Sequence, residues 1–298
     1  MSPEGTGEPP WGPPVATTGQ LVAARGPAAR RRRLARVLTY AAAVALSLFV
    51  LVPIYLITVT AFTPREVSYQ FPKPFIPTTL SAETVRFFAD STGVMAALWR
   101  SVVVAVLTLL LSTLLGAPAG YALARFAFRG KSGFRLLILS TRAFPIVILS
   151  IPLAVTFITW GISDTIYAVA LMHTGLALPF TILITSSIFV SVPRDLEEAA
   201  RTLGYTPVGA FVKVVLPLAL PGLAAAAIFT FVLSWNEVFA AVILTLRQRT
   251  LPALVLAALN TSPLPFRFAA AWFMLAPSLV VIFVIRRYLL GLWGRVAR

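Results

Sequence analysis

The sequence contains no cysteine and a single histidine. Disulfide bonds and thiolate metal sites are therefore excluded, and a lone histidine does not make a zinc site. Acidic residues are also scarce, with 10 among 298 residues, and all charged residues together make up 12% of the chain. Because soluble domains carry about 25% charged residues, this composition argues against an ordinary soluble domain.

Hydrophobic residues make up 58% of the chain, and they are concentrated in long uncharged segments. A helix needs roughly 20 apolar residues to cross the hydrocarbon layer of a membrane. The segments therefore predict an all-α integral membrane protein with six transmembrane helices, at about 37–62, 98–124, 134–158, 165–191, 218–245 and 267–290. Prolines inside these spans, such as Pro145 and Pro179, indicate kinked helices around a cavity.

The net charge of +15 is distributed unevenly between the loops. With six spans, 17 of the 25 basic residues fall on the side of the two termini and seven fall on the other side. Basic residues accumulate on the cytoplasmic side of membrane proteins, so both termini are predicted to be cytoplasmic. The basic turn 125–135 is expected to meet anionic lipid head groups. No nucleic-acid partner is expected, because a basic binding face requires a soluble fold to present it.

The first 36 residues differ from the rest of the chain. Residues 1–29 are rich in Gly, Pro, Ala and Thr, and a cluster of arginines follows, Arg30 to Arg33 and Arg36. Such a composition is typical of a disordered segment. We therefore predict a disordered, basic cytoplasmic tail at 1–36 and a membrane domain at 37–298.

The short sequence RGKS, Arg129 to Ser132, matches only the end of a phosphate-binding loop. The complete motif needs glycine at position 125, where this chain has Arg125, and it must follow a β-strand. Here it follows a membrane span. Nucleotide binding by this chain, and hence a cofactor within it, is not expected.

Between the fourth and fifth predicted spans lies a polar insert, EEAARTLGYTPVGAFVKVVLPLALPG. Asp195, Glu197 and Glu198 would lie near the positive end of a helix, where carboxylates are stabilising. Glu197 and Arg201 are spaced to form an i,i+4 pair, and Gly204 is placed to end the helix in a left-handed conformation. The pattern predicts a short helix over about 193–205, with an apolar face of Ala199, Ala200 and Leu203.

This insert resembles the EAA signature of bacterial ABC-importer permeases, at Glu198, Ala199, Ala200, Gly204, Leu216 and Pro217. The surrounding sequence over about 95–290 is similar to the carbohydrate-uptake, maltose-permease-like group. One departure is Leu203, where sugar permeases often carry Asp. The resemblance implies the type I ABC-importer permease fold for residues 37–298, and a bacterial inner-membrane location. It implies a transport subunit that catalyses no covalent chemistry.

The same resemblance implies that the short helix is a coupling helix that contacts a separate cytoplasmic ATPase dimer, which would bind ATP and Mg²⁺. The expected contact residues are Glu197, Glu198, Ala199, Ala200, Arg201, Leu203 and Gly204. A second, different permease chain and an extracytoplasmic substrate-binding protein are the other expected partners. The cargo implied is a sugar or sugar derivative, with this chain forming half of the pathway.

Polar residues inside the predicted spans are candidate substrate contacts, because such residues are costly in a membrane. They are Arg142, Trp235, Asn236 and Glu237. Trp235 could stack on a sugar, while Asn236 and Glu237 could bond its hydroxyls, or could instead make interhelical contacts or hold the gate. Arg142 could snorkel to the head groups or pair with a carboxylate of this chain or of a partner, and His173 could be a packing residue or a sugar contact. Asp164 is expected to cap the fourth span or to face the binding protein.

Two alternative functions remain open. An importer of the same superfamily could carry a glycerol-phosphate ester or another non-sugar solute, and Arg142 would then suit an anionic group. An ion-coupled secondary transporter would require inverted repeats and a midplane carboxylate. No repeat is visible in the sequence, and Glu237 is the only clear carboxylate of that kind.

Overall fold

The computed structural model of the protein describes residues 27–70, 72, 75–77 and 79–296. Within these ranges every regular element is a helix, which confirms the all-α prediction. The chain divides into two units, Met1–Leu56 and Ile57–Arg298. The helices are α1 Pro27–Ala61, α2 Arg65–Ser68, α3 Glu83–Asp90, α4 Val94–Arg125, α5 Lys131–Ala143, α6 Ile146–Thr159, α7 Ile166–Ser191, α8 Arg194–Thr202, α9 Pro207–Trp235, α10 Phe239–Leu244, α11 Leu251–Ala258 and α12 Leu264–Val296.

Within the described residues, five helices are long and apolar enough to cross a membrane, namely α1, α4, α7, α9 and α12. A sixth span is obtained when the bent pair α5 and α6 is counted as one. The number of spans then equals the six expected from hydropathy.

Helix α1 begins at Pro27, well before the predicted start of the first span at residue 37. The arginine cluster is therefore part of a helix, and the predicted disordered tail is wrong for residues 27–36. Ala, Arg and Leu, which dominate this stretch, all favour helix, and proline is well suited to a first helical position. Residues 1–26 of the predicted tail lie outside the described part of the chain.

The predicted third span, 134–158, is not one helix. Helices α5 and α6 meet at an angle of 87°, with Phe144 and Pro145 between them. Phe144 has extended backbone angles, φ −80° and ψ 122°. A residue that precedes proline is pushed out of the helical region, and proline itself provides no N–H, so the helix ends here.

The predicted fifth span, 218–245, is displaced toward the N-terminus. Helix α9 begins at Pro207 and ends at Trp235, and the separate short helix α10 follows. A π-helical segment, Phe211–Val215, precedes Pro217. Proline removes one helical hydrogen bond, and a π-type turn is one local adjustment to that loss.

Helices α4 and α7 pack closely because two glycines on α4 face α7. A Cβ on Gly116 would lie 2.7 Å from Cγ2 of Thr181, and one on Gly120 would lie 2.8 Å from the backbone nitrogen of Ser186. The Thr185 hydroxyl donates a hydrogen bond of 3.1 Å to the carbonyl of Gly116. Small residues four apart allow such close approach in membranes, where packing and hydrogen bonds drive helix association.

Replacing Gly120 by alanine should therefore destabilise the protein by about 1–3 kcal/mol, because the added methyl group overlaps the α7 backbone. Gly133→Ala is the matched control, since a Cβ at Gly133 meets no atom within 4 Å. Alanine is also favoured over glycine inside a helix, so the control should be neutral or slightly stabilising. Thermal unfolding of the detergent-purified chain measures both changes. Equal melting temperatures for the two variants would contradict the packing described here.

Candidate functional site

Helix α8 is a nine-residue helix with its own capping groups. Asp195 and Glu197 lie in its first turn, near the positive end of the helix dipole. At the other end Gly204 has a φ of +91°, and its N–H donates to the carbonyl of Arg201 at 3.0 Å. The N–H of Tyr205 reaches the carbonyl of Ala200 at 3.1 Å. These two bonds form a Schellman motif, in which glycine provides the left-handed residue that ends the helix.

The surface of α8 is divided between an outward and an inward side. Glu198, Ala199 and Arg201 are exposed, and 81% of the surface of Leu203 is accessible. Ala200, in contrast, is buried within the chain, with 5% exposed. The predicted apolar contact face is corrected accordingly, because Ala200 packs inside the unit Ile57–Arg298 and cannot meet a partner directly.

Glu197 also faces inward. One of its carboxylate oxygens lies 2.9 Å from Nε of Arg125, and the Tyr121 hydroxyl donates a hydrogen bond to the other. The side chains of Arg125 and Glu197 are only 7% and 15% exposed. The expected use of Glu197 as an i,i+4 partner of Arg201 is therefore replaced by an ion pair with α4.

Further bonds join α8 and the turn before it to the end of α4. Arg125 donates to the carbonyl of Val192 at 3.0 Å. Arg194 donates in return to the carbonyl of Arg125 at 3.2 Å. Arg125 is therefore a buried structural residue, which corrects its assignment to the lipid head groups. We call the set Tyr121, Arg125, Arg194 and Glu197 the Glu197 cluster.

A cavity of about 720 Å³ lies at the bend between α5 and α6. Its wall is mostly apolar and aromatic, with two charged residues, Arg142 and Glu237. The lining residues are Thr141, Arg142, Phe144, Pro145, Ile146, Leu149, Leu153, Phe157, Trp160, Leu171, Met172, Gly175, Leu176, Pro179, Leu233 and Glu237. Arg142 is exposed, and its guanidinium lies over the ring of Phe180, a cation–π contact.

Glu237 is held at the break between α9 and α10. Its carboxylate accepts hydrogen bonds from the N–H groups of Phe239 and Ala240, at 2.9 and 3.1 Å. It lies 3.1 Å from Nε2 of His173, whose Nδ1 lies 2.8 Å from the Ser234 hydroxyl. Glu237 thus caps α10 and joins it to α7, which supports the alternative that this residue makes interhelical contacts.

His173, with 1% of its surface exposed, is a satisfied buried residue in this arrangement. Trp235 is equally buried, and its Nε1 donates to the carbonyl of Met274 at 2.8 Å. Its ring stacks on Phe231 at an interplanar angle of 9°. The expectation that Trp235 offers a face to a sugar is therefore corrected. Asn236 is exposed but donates back to the carbonyl of Val232, and it lies outside the described cavity wall.

Asp164 lies in the connection between α6 and α7, with a φ of 56°. It does not cap α7, because Thr165 does so by accepting from the N–H of Ala168. Its carboxylate instead accepts hydrogen bonds from the N–H groups of Leu246, Arg247 and Gln248. Burial raises the pKa of Asp164, but these three hydrogen bonds together lower it by more, so the net pKa lies below its ordinary value.

A carboxyl with a lowered pKa in the folded state stabilises the fold above its unfolded pKa, and this contribution is lost as the pH falls through the folded value. Asp164→Asn should therefore lower the free energy needed to open the 246–248 loop at neutral pH by about 1–2 kcal/mol. This corresponds to amide exchange that is roughly 5- to 30-fold faster. The amide exchange rates of the wild type should approach those of the variant only below about pH 4. Asp90→Asn, at an exposed carboxylate, is the control. Hydrogen exchange of the 246–248 amides, compared at each pH, measures the effect, and exchange that is equal at neutral pH would contradict it.

Residues 112–292 match the family described as binding-protein-dependent transport system inner membrane component. The chain belongs to this family. It is thus a multi-pass inner-membrane permease, a transport subunit and not an enzyme. The resemblance to ABC-importer permeases inferred from the EAA-like insert is confirmed.

The permease is 35% identical over 221 residues to the trehalose transport system permease protein SugB of Mycobacterium tuberculosis. The aligned region covers 71% of this chain and 80% of the relative. It is 36% identical to the sulfoquinovosyl glycerol transport system permease protein SmoH of Agrobacterium fabrum, over 62% of this chain and 63% of the relative. A solved bacterial ABC transporter involved in the import of the acidic polysaccharide alginate has the same fold, with a TM-score of 0.68 and 21% identity, covering 87% of this chain and 98% of the other.

Sequence reasoning missed the role of Tyr121 and Arg125 in the permease. They are four residues apart on α4 and therefore share one face. The four-residue spacing of Tyr121 and Arg125 is visible in the sequence, but their partner Glu197 is 76 positions from Tyr121. Only the packing of α4 against α7 brings the three side chains together.

Proposed function

We propose that this permease forms half of the pathway of an ATP-driven importer for a sugar or sugar derivative. The observation that carries the proposal is α8, a capped helix too short and polar to span, which presents Glu198, Arg201 and Leu203 outward. The exposed surface of Leu203 on such a rigid helix is suited to a partner's cleft. The proposed partner is a cytoplasmic ATPase dimer, which supplies ATP and Mg²⁺.

The proposed orientation places both termini and α8 in the cytoplasm. It is supported by the 17 basic residues on that side against seven on the other. A second permease chain and an extracytoplasmic binding protein complete the proposed assembly. Closure of the ATPase dimer on ATP would move the permease between two packings, because ATP binds the closed dimer more tightly than the open one.

A saccharide cargo is supported by the relatives named for trehalose and sulfoquinovosyl glycerol. The cavity at the α5–α6 bend is a second support, because aromatic side chains such as Phe144, Phe157 and Trp160 line it. Among the described residues, Glu237 and Arg142 are the charged groups of this wall. We therefore propose that Arg142 lines the substrate pathway. Glu237 is proposed to act indirectly, because its bonds to α7 and α10 shape the cavity.

A solute with an anionic group is the second candidate cargo. Glu237 is hydrogen-bonded by His173 and by backbone N–H groups, whereas Arg142 lies over the ring of Phe180 and pairs with no carboxylate in the described part of the chain. Arg142 is therefore the charged group of this wall that lacks an ionic partner among the described residues. An anionic group on the solute, as in an acidic saccharide or a phosphate ester, would suit it.

The test is solute uptake by the complete importer, purified through a tag on this chain and reconstituted in liposomes. ATP-driven uptake of a neutral disaccharide such as trehalose, or of an acidic saccharide, is the expected result. Loss of acidic uptake in Arg142→Gln, with neutral uptake retained, would select the second cargo. Uptake driven by a proton gradient without ATP, or no uptake of either solute, would contradict the proposal.

A further inference from the structure

The connection between α7 and α8 is a break in the helical backbone. Val192 and Pro193 both have extended angles, with ψ values of 122° and 133°. Two extended residues between helices permit reorientation of α8 unless other contacts prevent it. The direction of α8 must therefore be fixed by groups outside this connection.

The Glu197 cluster provides these contacts. The ion pair between Arg125 and Glu197 joins α4 to the first turn of α8. The hydrogen bond from Arg125 to the carbonyl of Val192 joins α4 to the break itself. Because both charged side chains are largely buried, the pair is screened little by salt.

Tyr121 connects the same cluster to three spans. Its hydroxyl bonds Glu197, and its ring lies 5.5 Å from that of Phe189 on α7 and 4.5 Å from that of Phe211 on α9. Gly120, the residue before Tyr121, brings α4 against the backbone of α7. The cytoplasmic ends of α4, α7 and α9 therefore meet at one tyrosine.

We propose that Tyr121 and Arg125 are positioning residues that join α8 to α4, α7 and α9 as one rigid body. The inference rests on the proposed function of α8. A displacement of α8 by its partner is then carried into three spans together, and not only into α7 through the peptide chain. Adjacent glutamates have separate tasks, since Glu197 holds α8 within the permease and Glu198 faces outward.

A spin label tests this rigidity without any partner. The chain has no cysteine, so Thr202→Cys on the exposed side of α8 gives a unique labelling site. The label should be more mobile in Glu197→Gln and in Tyr121→Phe than in the otherwise wild-type chain, because each change removes a bond to α4. Glu198→Gln is the matched control, and it should leave the spectrum unchanged. Identical spectra for all variants would overturn the inference, whether or not the proposed function is correct.

A charge exchange tests the functional consequence in the complete importer. Glu197→Arg and Arg125→Glu should each lower solute transported per ATP hydrolysed by roughly tenfold, which is within the usual range of coupling between sites. The double variant Glu197→Arg with Arg125→Glu should restore most of this ratio, because the ion pair re-forms with reversed signs. A double variant as uncoupled as the singles, in folded and assembled protein, would overturn the inference. Absence of ATP-driven uptake by the wild type would instead reject the proposed function.

Discussion

Replacing Gly204 by valine should reduce ATP-driven uptake by about tenfold or more while the permease stays folded in the membrane. A residue other than glycine costs about 1–2 kcal/mol in the left-handed region, and a β-branched one fits it worst. At a φ of +91° the variant would have to abandon the bonds from Gly204 to Arg201 and from Tyr205 to Ala200. The exposed end of α8, including Leu203, would then change direction where the ATPase is proposed to bind. Uptake and ATP hydrolysis by the reconstituted importer measure the result.

Gly161→Val is the matched control for this change. Gly161 has a φ of +71°, and, as at Gly204, an added Cβ would meet no atom within 4 Å. It lies at the opposite end of the spans, between α6 and α7. The two variants should therefore lose similar stability, but only Gly204→Val should uncouple hydrolysis from uptake. Equal uptake by both would show that the end of α8 carries no coupling function.

Glu237→Ala should be strongly destabilising, with a loss of about 3–5 kcal/mol in the free energy of unfolding. The change removes the partner of His173 and leaves the N–H groups of Phe239 and Ala240 without their acceptor. It should therefore also release α10 from the end of α9. Unfolding of the purified chain, followed by its helical circular dichroism, measures the loss.

The neighbouring Asn236→Ala provides the control, since Asn236 is exposed and bonds only within its own helix turn among the described contacts. It should cost well under 1 kcal/mol, as surface substitutions usually do. Substrate affinity should also be unchanged in this variant, because Asn236 lies outside the described cavity wall. Similar losses from Glu237→Ala and Asn236→Ala would contradict the structural role assigned to Glu237.

Local signals in the sequence were sufficient for the helical class and for α8. Hydropathy located the long helices because a membrane imposes a minimum length on them. The acidic first turn and Gly204 located α8 because capping depends on residues within one turn. The prolines inside α9, Pro217 and Pro221, were local signals of a distortion, and a π-helical turn at Phe211–Val215 precedes them.

Features that depend on contacts between distant helices could not be predicted. Proline inside a span is compatible with a kink or a break, and only the structure shows that Pro145 lies at an 87° break while Pro179 lies within a continuous helix. Trp235 has the composition of a sugar contact, yet its indole is bonded to Met274 on α12. Glu197 has an available partner four residues away, but a buried partner on α4 takes its place.

Cross-linking from position 203 tests the central claim most directly. Because the sequence contains no cysteine, Leu203→Cys introduces a single reactive thiol on the outward side of α8. A photoreactive maleimide on that thiol should join the permease to its ATPase subunit in the assembled importer, with a yield that changes when ATP is added. The same probe at Gly133, on α5, is the comparison site. Cross-linking to the ATPase from Gly133→Cys but not from Leu203→Cys would contradict the assignment of α8 as the coupling element.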